Sequence, residues 1–539
     1  MKTTCLNLFI ALALISIQTS YAKQVTSNVG PLCSPMVEFQ GKMYFCAEHP
    51  TLGKEVHIAD GGQFGTKVLR DIDTGLGDST PRAFFKLNGY LYFFAENTAL
   101  GEGLWRTDGT EEGTKMVISI SQQFGAKPTK VVEQIGGNVY FQGAVGTSRH
   151  DHKLFVTNGS VGGTHPIDVP IYNGIFSSLN VISATTYQVY NNQLFLLTLR
   201  NLYRIDSNQQ ATLVYENLPF DGDQYPLTQL TRLTFLGKML VEANGELWLS
   251  DGTTAGTQPY IALPNNYIMS LSVINDRLIY ETGRPKYHNP TPEQEPQPLQ
   301  LIATNGSSSA VLEEFERDNV HYDYVESVGY QRSLSWYHHG IGENAVVIGT
   351  AGSVNTTFKA PFQLASKWRN NYLRDRSPSD PAFRTIVEFA GKLYGHTYGS
   401  IARLDPITRS LQALPSSGVV NFLGAAQQGV ITFSCLPNCS SGNNEIGIIG
   451  QNGAHTKLAS VAGKGLYDDI YWNSIYSNGT HSYFQLRQAG IWHTNGSASD
   501  TYALKITYDD GKPEPPELDG FPLIPAIELL LDDEPEPVI

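Results

Sequence analysis

Leu104-Trp105-Arg106-Thr107-Asp108-Gly109-Thr110-Glu111-Glu112-Gly113-Thr114 recurs as Leu247-Trp248-Leu249-Ser250-Asp251-Gly252-Thr253-Thr254-Ala255-Gly256-Thr257. An apolar and aromatic run that enters Asp-Gly, then Gly-Thr at a fixed offset, describes a strand entering a tight turn. Gly and Asn tolerate the positive φ such turns require. A third copy, Leu154-Phe155-Val156-Thr157-Asn158-Gly159, ends in Gly163-Thr164, while Ile491-Trp492-His493-Thr494-Asn495-Gly496 repeats only the first half.

Used as a ruler, these copies mark ten turn positions: Asp60, Asp108, Asn158, Asp206, Asp251, Asn305, Ala351, Asp405, Asn452 and Asn495. Successive spacings run from 43 to 54 residues, and the position four before each turn is always aliphatic. Upstream lies a second element, a Gly-containing turn followed by alternating apolar residues. Examples are Gly41-Lys42-Met43-Tyr44-Phe45, Gly89-Tyr90-Leu91-Tyr92-Phe93, Gly137-Asn138-Val139-Tyr140-Phe141, Gly237-Lys238-Met239-Leu240-Val241 and Gly391-Lys392-Leu393-Tyr394. This is the pattern of a strand leaving a hairpin. One unit therefore reads strand, Gly turn, strand, variable loop, strand, Asp/Asn-Gly turn, strand. Four antiparallel strands per repeat are the unit of a β-propeller blade. The expected fold is all-β, about ten degenerate four-stranded units, in one large propeller rather than two rings. No helical periodicity competes. The proline-rich stretch from Gly283 to Gln300 is read as a polar insertion between strands.

The start of the chain has the form of a secretory signal. Lys2 precedes the apolar stretch Leu6 to Ile17, and Ser20-Tyr21-Ala22 supplies small residues for cleavage. The division expected is a signal peptide over 1–22, the propeller over 23–508 and an acidic, proline-rich tail over 509–539. The apolar stretch is too short to span a bilayer, and no later segment is long enough. A secreted location follows: extracellular, at the cell surface or periplasmic. The formal net charge of −14 becomes −15 once Lys2 is removed. The tail holds ten acidic residues and one lysine, hence −9, which leaves −6 for the body. A nucleic-acid partner needs a basic face and is not expected.

Four cysteines follow the signal segment: Cys33, Cys46, Cys435 and Cys439. An even number in an exported chain suits two disulfides. Cys33 and Cys46 fall close across the hairpin around Gln40-Gly41, and Cys435 and Cys439 enclose only Leu-Pro-Asn.

The repeat resembles the secreted bacterial family whose signature is Glu-Leu-Trp-x-x-Asp-Gly-Thr-x-x-Gly-Thr, sometimes grouped with hyalin-like repeats. Gly245-Glu246-Leu247-Trp248 with Asp251, Gly252, Thr253, Gly256 and Thr257 matches throughout, and the copy ending at Thr114 departs only at Gly103. The resemblance implies an extracellular propeller or surface protein and carries no general catalytic site.

Asp60, Asp108, Asn158, Asp251, Asn305 and Asn495 are accordingly read as structural turn residues rather than catalytic ones. No metal site or cofactor is expected. Asp221-Gly222-Asp223 and Asp509-Asp510-Gly511 are fragments of a calcium loop, which needs more alternating oxygen ligands. His150-Asp151-His152 offers two imidazoles on one strand face but no evident third ligand, and His338-His339 point to opposite faces. No Gly-x-Ser-x-Gly, His-Glu-x-x-His or Walker loop is present, and no catalytic residue is assigned. Tyr187, Tyr225, Trp336, Tyr337, Trp472 and Tyr476 could line a sugar-stacking face or pack blade cores. The expected function is recognition of an extracellular protein or carbohydrate by blade loops. The alternative is a secreted glycan-active hydrolase or lyase with its site in the propeller funnel.

Overall fold

A computed structural model describes residues 22–513, apart from intervals of which the longest are 170–186, 284–298, 370–385 and 463–474. Helix is confined, among the described residues, to short turns such as Ile120–Phe124 and Ala498–Asp500. The rest of the regular structure is antiparallel sheet.

Within the compact unit Asn28–Leu504, ten groups of four antiparallel strands follow one another along the chain, nine as four-stranded sheets and the first as part of a six-stranded one. In each, the strands lie in sequence order. The first sheet comprises Val37–Phe39, Lys42–His49, Gly53–Ala59 and Thr66–Arg70. The second comprises Arg82–Leu87, Tyr90–Asn97, Gly101–Thr107 and Lys115–Ser119. The tenth comprises Tyr476–Ser477, Ser482–Leu486, Gly490–Thr494 and Thr501–Ala503. The chain is a β-propeller, and these sheets are its blades.

Eight of the ten marked turns fall between the third and fourth strands of their sheets, and Asp405 ends its third strand, as the repeat requires. The seventh does not. Its sheet runs Trp336–Ile341, Asn344–Gly349, Val354–Lys359 and Gln363–Arg369. Ala351 therefore falls between the second and third strands, in an interval outside the described residues. An additional two-stranded pair, Tyr322–Val325 with Gly329–Arg332, precedes this sheet and displaces the spacing. The strands Ala22–Asn28 and Lys505–Pro513 lie side by side and complete the six-stranded sheet. Residues 1–21 of the signal segment, Cys439 and residues 514–539 lie outside the described residues.

The two hairpin turns of a blade have distinct chemistry. Between first and second strands, Asn88 and Gly89 take φ of 50° and 79°, the two positive values of the hairpin turn that matches strand twist. Between third and fourth strands, Asp108 caps its own turn and Gly109 takes φ of 96°.

The second strands whose side chains are described are largely apolar on both faces, as in Tyr92-Phe93-Phe94-Ala95, because neighbouring blades cover both sides. Phe39, Val56, Ile58 and Leu69 of the first sheet meet Leu91, Phe93 and Trp105 of the second. Phe94 and Leu104 of the second meet Phe141 and Phe155 of the third. Burying each such side chain contributes about 1.5–3 kcal/mol.

A tyrosine or phenylalanine of the second strand also presses on the Asp/Asn-Gly turn of the next blade. Tyr92 donates its hydroxyl to Gly159 O at 3.2 Å, and Tyr44 and Phe195 crowd Gly109 and Gly252. The tenth sheet makes the same approach to the first: Tyr483 abuts Gly61, and Tyr502 donates to Gly61 O at 2.6 Å. Val29 N–H donates to Leu504 O at 3.1 Å. The last blade therefore packs on the first as each early blade packs on its successor. Cys33 and Cys46 are joined by a disulfide, with Cα atoms 5.1 Å apart.

Candidate functional site

The chemistry of the repeat turn is consumed locally. Asp108 Oδ1 accepts from Thr110 N at 3.0 Å and Thr110 Oγ1 at 2.7 Å, and Asp251 does the same with Thr253. Those hydroxyls, with the backbone N–H, hold both carboxyls below the usual carboxylate range. Asp60, Asn158, Asn305 and Asn495 accept from the N–H two residues on, at 2.9 to 3.0 Å. One layer deeper, Thr107 with Thr114, Thr157 with Thr164, Ser250 with Thr257 and Thr494 with Thr501 pair their hydroxyls at 2.7 to 2.8 Å.

The strand order places the two kinds of hairpin turn at one end of the blades and the variable loops at the other. At the loop end of the first two blades the loops are tied to one another and to the segment that leads to the third. Asn97 Nδ2 donates to Ile72 O at 2.7 Å, and Thr98 donates to both carboxylate oxygens of Asp73, through N and Oγ1, at 2.8 Å. Lys54 pairs with Asp78 at 2.6 Å. Ser119 Oγ donates to Leu100 O at 2.6 Å while capping the helix Ile120–Phe124. Beneath them, fully buried Glu55 accepts from Ile72 N, Asp73 N and Ser79 Oγ at 3.0, 3.2 and 2.6 Å. Burial raises its carboxyl to about 7. On top of this cross-tied layer, Leu76 is 77% and Leu100 46% exposed.

A second cluster lies at the turn end of the tenth blade. His481 precedes its second strand, His493 lies on the third, and Asp500 closes the turn into the fourth. His481 Nδ1 and His493 Nε2 are 2.8 Å apart. One ligand atom from each of His481, His493 and Asp500 lies within 4.8 Å of the others. His493 is fully buried and stacks on Tyr502, with ring centroids 5.0 Å apart. Burial, offset in part by the charge of Asp500, lowers this imidazole to about 4. Burial and the same charge raise Tyr502 to about 12.

The reading of the sequence did not single out these three residues, yet it held the signal. The copy at Ile491 repeats only the first half of the motif because Asp500 stands where Gly65, Gly113, Gly163 and Gly256 stand in other copies. Of the residues weighed for sugar stacking, Tyr187 is buried in the core between the third and fourth blades. Tyr476 is half-buried, with its hydroxyl on the backbone of Met36. Tyr225 and Trp472 lie outside the described residues, as do His150, Asp151 and Asp221-Gly222-Asp223. His152 begins the third strand of its sheet.

No described protein family and no curated protein matches the chain. Among solved structures it is similar to the extracellular domain of a one-component system from B. thetaiotaomicron, at 13% identity and a TM-score of 0.26. That match covers 89% of this chain and 66% of the other, slightly under two thirds of its length. It is also similar to BamB from Moraxella catarrhalis, at 11% identity and TM-score 0.35, covering 70% and 97%. Dipeptidyl peptidase 4 of Porphyromonas gingivalis gives 9% and 0.37, covering 77% and 58%.

Proposed function

We propose that this chain is an extracellular binding propeller that grips a protein ligand with the loops at the end opposite the Asp/Asn-Gly turns. The observation that supports this most is the loop layer over the first two blades. Its loops are fixed to one another before any ligand arrives, so little ordering entropy is lost on binding. It displays Leu76 and Leu100, large apolar side chains left exposed on a pre-ordered surface, whose burial against a partner would be favourable. A protein is the partner that exposed apolar side chains suit, and Tyr187, one aromatic weighed for stacking on sugars, serves the core. Glu55 has the raised pKa of a catalytic acid, but both its oxygens are held by chain donors and it is fully buried. It supports the loop 71–79 rather than reaching a substrate.

The test is a screen of the exported protein for binding and turnover against extracellular proteins, glycoproteins and polysaccharides, repeated with Leu76→Asp and Leu100→Asp. Both side chains are solvent-facing, so the melting temperature should hold while affinity falls at least tenfold, the size of a hot-spot loss of about 1.4 kcal/mol. Release of shortened sugars would instead support the hydrolase or lyase reading. Protein binding untouched by either variant would place the interface elsewhere.

A further inference from the structure

We propose that His481, His493 and Asp500 form a binding site for one divalent transition-metal ion of the zinc class. The strongest ground is that two imidazoles and a carboxylate meet at one point in space, and that the carboxylate stands where the repeat carries glycine. In the second blade Tyr90, two residues before Tyr92, lies under Arg106, whose guanidinium carbon is 4.5 Å from the ring centroid. The residue paired with the second-strand aromatic is also arginine in the fourth and eighth blades, Arg204 and Arg403. In the tenth blade His481 takes the place of Tyr90, and His493, paired with Tyr483, takes the place of the arginine. Asp500 takes the place of the glycine. At that glycine in the second blade, Gly113, any Cβ would collide with the carboxylate of Asp108. An aspartate is thus tolerated only because the tenth turn is rebuilt as the 3₁₀ turn Ala498–Asp500.

The donor set fixes the class of ion. Two imidazoles and a carboxylate suit zinc and its first-row neighbours, whereas calcium and magnesium take oxygen ligands. Ligands about 2.0–2.1 Å from a tetrahedral ion lie roughly 3.3 Å apart. The two imidazole nitrogens, at 2.8 Å, need to part by about half an ångström, and the carboxylate needs to close in from within 4.8 Å. Three protein ligands leave a fourth position for water. The ion would join both turns of the tenth blade to its third strand. Tyr502, whose hydroxyl holds Gly61 O of the first blade, stacks directly on His493. An ion here therefore steadies the blade that closes the ring.

The test uses the full chain stripped of metal, with zinc titrated calorimetrically and the melting temperature followed against zinc concentration. Asp500→Gly is the decisive variant, because it restores the residue that other blades carry at this position. The expected result is one zinc per chain, a melting temperature that climbs with zinc, and no response to calcium. Asp500→Gly and His481→Ala should each weaken zinc binding at least about tenfold, with Asp500→Gly keeping the metal-free melting temperature. The proposal is overturned if the native chain binds no zinc, if calcium binds equally well, or if both variants bind zinc unchanged. Loss of the zinc only when His150 and His152 are replaced would place the ion elsewhere and overturn it too.

Discussion

Glu55 and His57 stand two residues apart on one strand of the first blade, and burial pushes them in opposite directions. His57 is fully buried against Phe45, its Nδ1 lies 2.9 Å from Glu55 O, and desolvation lowers it to about 4. A depressed histidine contributes stability that is present above its ordinary pKa of 6.5 and lost as the pH falls toward 4. Glu55, raised to about 7, contributes stability below its ordinary 4.5 that is lost as the pH rises through 7. The two therefore oppose each other between pH 4.5 and 6.5. Denaturant unfolding of His57→Gln across this range should show the acid-sensitive half removed. At pH 4 the histidine's share is on the order of 3 kcal/mol, because each tenfold drop in its proton affinity on folding is worth about 1.4 kcal/mol. Identical pH profiles for variant and native chain would show that His57 does not titrate across this range.

The turn is the smallest element whose design repeats, and it shows what patterning can and cannot reveal. Asp251→Ala removes two hydrogen bonds that hold Thr253 in place, so chemical denaturation should show a loss of about 1 kcal/mol. Ligand binding at the opposite end of the blades should be unchanged; an activity lost at constant stability would assign Asp251 a role beyond the turn. Blade architecture was legible from this motif because tight turns need particular residues: Asp or Asn to cap, Gly for positive φ. The seventh blade was misplaced because Ala351 satisfies neither need, and an aliphatic residue four positions earlier is too common to fix a register. The disulfide between Cys33 and Cys46 was legible because both lie on one hairpin. The cluster of His481, His493 and Asp500 was not, since its members are spread over twenty residues and meet only across strand pairing. Its trace was a missing glycine. The tied loops at the other end were hidden for a different reason: Asp73, Asn97 and Thr98 follow no period, and only the fold brings them together.

For the propeller as a whole, the question is what holds its last blade to its first. Tyr502 gives its hydroxyl to Gly61 O, and Tyr92 gives its own to Gly159 O at an interior junction. Tyr502→Phe and Tyr92→Phe should therefore cost alike, each about 0.5–1.5 kcal/mol, in a thermal or denaturant transition that stays single. A separate early phase in Tyr502→Phe alone would mark the closing junction as the weak one. The hydrogen bond from Val29 N–H to Leu504 O brings the two ends of the propeller within a few ångströms of each other. A short bridge across that gap, with the backbone cut at an exposed loop on another blade, would leave every junction between neighbours intact. Which blade comes first in the gene is then a matter of history rather than of mechanics.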